Sequence, residues 1–174
     1  MITWIIILGL LAVFAIVVAV QPSQFAIKRS LHMPLPPEKI FPEVNELRRW
    51  EAWNPWGRLD PSAQMTYEGP PAGAGASYTW SGNQKIGAGR LTITASQPGE
   101  FVRFRLDFLK PMAATNLAEF TFKPQAGGTL VTWCMNGRNN FIGKLFGLLI
   151  GCEKMIGGQF EKGLANLQQA ASQV

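Results

Sequence analysis

Histidine, cysteine and charge are all scarce in this chain, and each scarcity removes a class of function. The 174 residues hold one histidine and two cysteines, and charged residues make up only 16%. His32 has no neighbouring serine, cysteine or paired acid, so no nucleophilic triad is legible. Cys134 and Cys152 are too few for a disulfide framework. They belong to no CxxC or Cys/His cluster that would hold a structural metal, and their apolar surroundings predict buried free thiols. Gly82-Asn83 to Gly89 reads as a hairpin rather than a nucleotide loop, because no helix follows it. No catalytic residue, metal or cofactor is therefore expected. The net charge is +5, yet its lysines and arginines are scattered and form no nucleic-acid motif, so nucleic acid is not an expected partner. Modest basicity instead suits an anionic membrane surface nearby.

What the chain has in quantity is apolar sequence, 47% of the whole. Ile2 to Val20 contains no charged residue, and a helix of that length reaches about 28 Å, close to the thickness of a bilayer core. Trp4 suits an interfacial anchor, and Gln21-Pro22-Ser23-Gln24 ends the run. The expectation is a transmembrane anchor with a short linker over residues 1–24, whose partner is the lipid bilayer, and one domain over residues 25–174. Lys28, Arg29 and Lys39 follow the span, so the positive-inside rule places the domain in the cytoplasm, with the periplasmic or extracellular side left open because long domains translocate regardless of charge.

Beyond residue 24 the pattern changes period. Phe25 to Met33 reads as a first strand. Pro37 opens a short helix over Glu38 to Leu47, kinked at Pro42, and Trp50 and Trp53 share a face of the next. Alternation of apolar and polar residues then predicts strands at Met65 to Tyr67, Ser77 to Ser81, Arg90 to Thr94, Phe101 to Leu109, Asn116 to Phe122 and Thr129 to Asn136. Gly-Pro and Gly-Gly turns separate them. Seven strands result, six in an antiparallel meander, with one aromatic and one polar face, as expected for a sheet packed on one side. From Asn140 to Ala170, apolar residues recur every three or four positions, which predicts one long helix capped at Asn139 or Asn140. Its glycines, Gly143, Gly147, Gly151, Gly157, Gly158 and Gly163, each cost roughly 1 kcal/mol relative to alanine. They point to close backbone packing, bending, or volume left free. A sheet wrapped on this helix is an α+β, two-layer arrangement.

Taken with Arg48-Arg49-Trp50-Glu51-Ala52-Trp53-Asn54-Pro55, the stretch from Gly73 to Asn83, Gly87-Ala88-Gly89 and the closing Phe160 to Leu167, this order of elements resembles the START-like (SRPBCC) superfamily. The similarity is to its polyketide cyclase/dehydrase and lipid-transport branch. The resemblance covers roughly Phe25 to Ala170 and implies the helix-grip fold, with a hydrophobic cavity between sheet and helix. The inward residues Tyr67, Tyr78, Trp80, Phe104, Phe108, Phe120, Trp133 and Met135, with Phe146, Leu149 and Met155 as a lid, are the candidate ligand contacts. Each taken singly reads as core before it reads as a ligand contact. A membrane-anchored binding protein for a hydrophobic or lipid-like small molecule is the leading expectation. A cyclase or dehydrase would need an inward polar residue, for which Tyr78, Asn116 and Asn136 are the candidates. A non-catalytic interaction module with a filled pocket is the third possibility. Neither a particular ligand nor an oligomeric state is written in the pattern.

Overall fold

The computed structural model describes residues 2–173, without the side chains of Ile2, Ile5, Ile142, Phe146, Leu149, Ile150 and Cys152. Helix α1 (Ile2–Ala19) precedes β1 (Gln24–Met33), α2 (Pro37–Asn45) and the single-turn α3 (Trp50–Trp53). Six strands follow: β2 (Gln64–Glu68), β3 (Ser77–Ser81), β4 (Ala88–Gln97), β5 (Phe101–Lys110), β6 (Ala114–Gln125) and β7 (Gly128–Arg138). Helices α4 (Phe141–Ile150) and α5 (Cys152–Ser172) end the chain. The seven strands form one antiparallel sheet in the order β1-β7-β6-β5-β4-β3-β2, so the meander is closed at one edge by the first strand. Register shifts between β4 and β5, at Ala88/Gly89 and Ile93/Ala95, add local twist and bend the sheet. The fold is α+β, as the alternation and the helical period predict, and helix-grip-like, as the resemblance implies.

The core sits on the concave face. Val102 and Phe104 of β5, Ala118, Phe120 and Phe122 of β6, and Val131, Trp133 and Met135 of β7 are buried there. The outward positions between them carry charge: Arg103 pairs with Glu119, and Arg105 meets Asp107 at 2.9 Å. Helix α5 covers this face with Phe160, Leu164, Leu167 and Ala171. Burial of each of the larger three stabilises by roughly 1.5–3 kcal/mol. Two glycines bring helix and sheet together. At Gly163 an added Cβ would lie 2.7 Å from Trp133 Cζ3, and at Gly157 it would overlap the Arg29 guanidinium. Arg29, reaching across from β1, donates to Glu153 at 2.9 Å and Glu161 at 2.7 Å on either side of that glycine. Both acceptors hold its pKa above the ordinary arginine value.

Several expectations are corrected. The single long helix from Asn140 is two helices. Asn140 does cap α4, accepting from Gly143 N at 2.8 Å, but Gly151 takes φ +67°. That left-handed backbone, which favours glycine, ends α4, and α5 starts at the next residue. Cys134 is only half-buried, on the outward side of β7 between Lys28 and Glu119. The Cys152 side chain lies outside the described residues.

The membrane anchor and single-pass placement expected over Ile2 to Val20 are overturned: among the described residues no helix is long and apolar enough to cross a membrane. α1 stops at Ala19 after 18 residues. The C-terminal end of α1 meets α4 instead. Val18 is buried, and Lys144 Nζ donates to the Ala19 carbonyl at 2.8 Å. The bilayer partner and the cytoplasmic side assigned to the domain rested on that span and lose its support.

Candidate functional site

Between the concave face and the start of α5 lies a cavity of about 220 Å³. Its floor is built by alternation: Tyr78 and Trp80 from β3, Leu91 from β4, Leu106 and Phe108 from β5, and Ala118, Trp133 and Met135 from β6 and β7. Its rim comes from the other elements, with Trp50, Asn54 and Trp56 around α3, Ile86 from the β3–β4 loop, and Ile156 and Phe160 from α5. The walls are held by neighbours rather than left loose. Trp133 stacks on Phe160 with centroids 4.0 Å apart and planes 3° from parallel, and Trp56 meets both rings edge-on. Trp80 lies over Gly89, where a Cβ would come within 2.5 Å of its ring, and its indole N–H donates to the Ile86 carbonyl at 3.0 Å. The loop bearing Ile86 is fixed in turn by Asp60, which accepts from Asn83 N at 2.6 Å and from the Ser62 hydroxyl at 2.6 Å. These bonds favour the carboxylate, and the Asp60 pKa is lowered, the Ser62 hydroxyl being the largest cause.

Of the eleven residues expected at the pocket, Tyr78, Trp80, Phe108, Trp133 and Met135 stand on its wall. Phe104 and Phe120 point inward but lie beneath the wall, edge-on to Trp50 at 5.3 and 6.2 Å. Tyr67 faces a separate groove with Arg48. Its ring carries the Arg48 guanidinium at 4.4 Å, and its hydroxyl donates to Glu51 at 2.8 Å. Burial first, and then the Glu51 bond, push its pKa up to about 12. Met155 is 55% exposed, because the inward phase of α5 passes through Ile156 and Phe160 instead. The side chains of Phe146 and Leu149 lie outside the described residues.

Of the polar candidates, Asn136 faces outward on β7. Asn116 is buried, and its amide approaches Met135 Sδ at 3.8 Å, behind the wall. Tyr78 is on the wall, 6% exposed. Burial, and to a lesser degree Tyr67, raise its pKa well above that of a free phenol. Trp56, Asn54 and Ile86 are wall residues that strand alternation could not find, since they sit on loops. The tryptophan spacing Trp50, Trp53, Trp56 was the available signal for the first. Trp50 and Trp53 are buried and donate their indole N–H groups to the Val44 and Glu43 carbonyls. Among the described residues no group of three His, Cys, Asp or Glu side chains could hold a metal ion.

The family model described as polyketide cyclase / dehydrase and lipid transport matches residues 24–172. The chain belongs to that family. Solved structures of the same fold include the protein MLL2253 from Mesorhizobium loti, with a TM-score of 0.63 at 14% identity over 86% of this chain and 98% of that one. The Aha1 dimer from Colwellia psychrerythraea gives 0.60 at 15% identity, over 84% and 96%. CalU16 from Micromonospora echinospora gives 0.54 at 13%, over 86% and 76%. At such identities the likeness is one of fold. No curated protein sequence matches the chain.

Proposed function

We propose that residues 25–174 act as one binding domain that takes a hydrophobic or lipid-like small molecule into this cavity and does not transform it. The observation that carries the reading is the cavity itself, about 220 Å³ with an uncharged wall of which seven residues are aromatic. A void of about 150 Å³ already holds benzene, and drug-sized pockets start near 300 Å³. The space therefore suits a compact ring system or a short chain, or one end of a longer molecule. A solid core, as an interaction module with a filled pocket would have, would leave no such volume.

Tyr78, Trp80, Phe108, Trp133 and Met135 are the contacts this reading assigns. Chemistry on the ligand is the less favoured reading. A general acid or base works best with a pKa near the operating pH, and the Tyr78 hydroxyl is driven in the opposite direction by its burial. Native mass spectrometry of the purified full chain, with solvent extraction of whatever is bound, tests the proposal. A discrete co-purifying hydrophobic molecule is the expected result. A bare protein mass, together with no thermal shift across a panel of lipids and aromatic compounds, would refute it.

A further inference from the structure

The polar atoms of the cavity wall show a one-sided pattern. Every wall side chain is uncharged. Trp50 and Trp80 spend their indole N–H groups on the Val44 and Ile86 carbonyls. The Asn54 side-chain oxygen accepts from Trp56 N at 3.1 Å, which orients that amide and leaves its NH₂ without a partner among the described residues. The Tyr78 hydroxyl and the indole N–H of Trp133 likewise have no partner there. Each of these unpaired groups donates, and none is acceptor-only. Once a ligand displaces water from these donors, leaving one unpaired is costly, so a ligand that supplies an acceptor gains affinity at Tyr78 that a hydrocarbon cannot. The raised Tyr78 pKa keeps this hydroxyl protonated, and therefore donating, through the neutral range.

We infer that the cavity selects neutral molecules carrying a hydrogen-bond acceptor such as a carbonyl, that Tyr78 is the residue making this selection, and that anionic ligands of the same shape are rejected. This rests on the binding reading above. The rejection follows from the wall: an ionised carboxylate brought into it loses hydration and meets no lysine, arginine or histidine to replace it. Fatty acids and phospholipids could then enter only by their hydrocarbon ends, which would leave the Tyr78 hydroxyl unpaired.

Isothermal titration calorimetry of the full chain with three probes of one shape tests this: 2-acetylnaphthalene, 2-ethylnaphthalene and 2-naphthoate at neutral pH. The ketone is expected to bind about three- to tenfold more tightly than the hydrocarbon, the effect of one net hydrogen bond. The carboxylate is expected to bind on the order of a hundredfold more weakly than the ketone. In Tyr78→Phe, which removes a hydroxyl with no protein partner and so leaves the fold intact, the ketone is expected to fall to the level of the hydrocarbon while hydrocarbon binding is kept. Naphthoate binding as tightly as the ketone overturns the selection for neutral ligands. A ketone preference that survives in Tyr78→Phe overturns the role of Tyr78. Either result leaves the binding reading standing. Failure of all three probes to bind overturns both.

Discussion

Replacing Gly163 with alanine sets two effects of known sign against each other. In a helix interior alanine is favoured over glycine by about 1 kcal/mol. At Gly163, however, the new Cβ would lie 2.7 Å from Trp133 Cζ3 and 3.2 Å from Pro55 Cδ. Phe160 stacks on Trp133 at 4.0 Å and Phe120 lies at 4.6 Å, so the ring is held on two sides. Forcing a methyl into such a contact costs typically 1–3 kcal/mol, so the substitution is expected to be neutral to destabilising in spite of its helix propensity. Gly158→Ala isolates the other effect, because nothing lies within 4 Å of a Cβ there. It is expected to stabilise the protein by up to about 1 kcal/mol. The difference between the two variants removes propensity and reports the clash alone. At about 2 kcal/mol it would separate their melting temperatures by roughly 4–8 °C in a domain of this size. Thermal unfolding followed by circular dichroism reads this directly. Equal shifts in the two variants would refute the view that Gly163 is there to let α5 approach Trp133.

Arg29 and Gly157 should be coupled. Gly157→Ala is expected to lower the melting temperature in the native background, where the guanidinium occupies the space, and to raise it in an Arg29→Ala background; shifts of the same sign in a double-mutant cycle would contradict the contact. Asp60 has a lowered pKa, so its stabilising effect is complete above the unfolded carboxyl value of about 4 and is lost as pH falls through the lower folded value. Asp60→Asn should therefore be less stable at neutral pH and should lose less on acidification, as denaturant titrations at pH 7 and pH 3 would report. Gly89→Ala would drive a methyl into the Trp80 ring and is expected to cost about 1–3 kcal/mol and to weaken binding of 2-acetylnaphthalene, which calorimetry on the folded variant measures.

The strands were legible because a sheet covered on one face writes its register into the sequence at period two. Phe120 and Glu119 could be assigned to opposite faces from alternation alone. Alternation says which face a residue takes and not what it meets there. Tyr67 shares its face with Tyr78, yet the edge position of β2 puts it beside Arg48 and Glu51 instead of on the wall. Phe104 and Phe120 face inward and are consumed by Trp50. The rim was hidden for a different reason: Asn54, Trp56 and Ile86 sit on connections that have no period to read. The break at Gly151 depends on a left-handed dihedral that six helical glycines announce in general and locate nowhere in particular. At the amino terminus, apolar character suggested a span, while the helix itself stops at Ala19 and meets α4.

The pairing of β1 with β7 sets an order of events during synthesis. Gln24 finds its ladder partner at Arg138, roughly a hundred residues later. At about 5–20 residues per second, β1 leaves the ribosome some 5–20 s before β7 exists to receive it. The meander β2 to β6 can form hairpin by hairpin in that interval, each from strands adjacent in sequence. β7 then has to accept β6 on one side and β1 on the other, and α5 emerges later still. Until then the aromatic concave face has no lid. The nascent chain thus spends its longest wait with its most apolar surface uncovered and with strand edges open, the condition in which chaperone capture competes with folding. Ribosome-stalled chains ending just before and just after β7 would expose that difference to limited proteolysis.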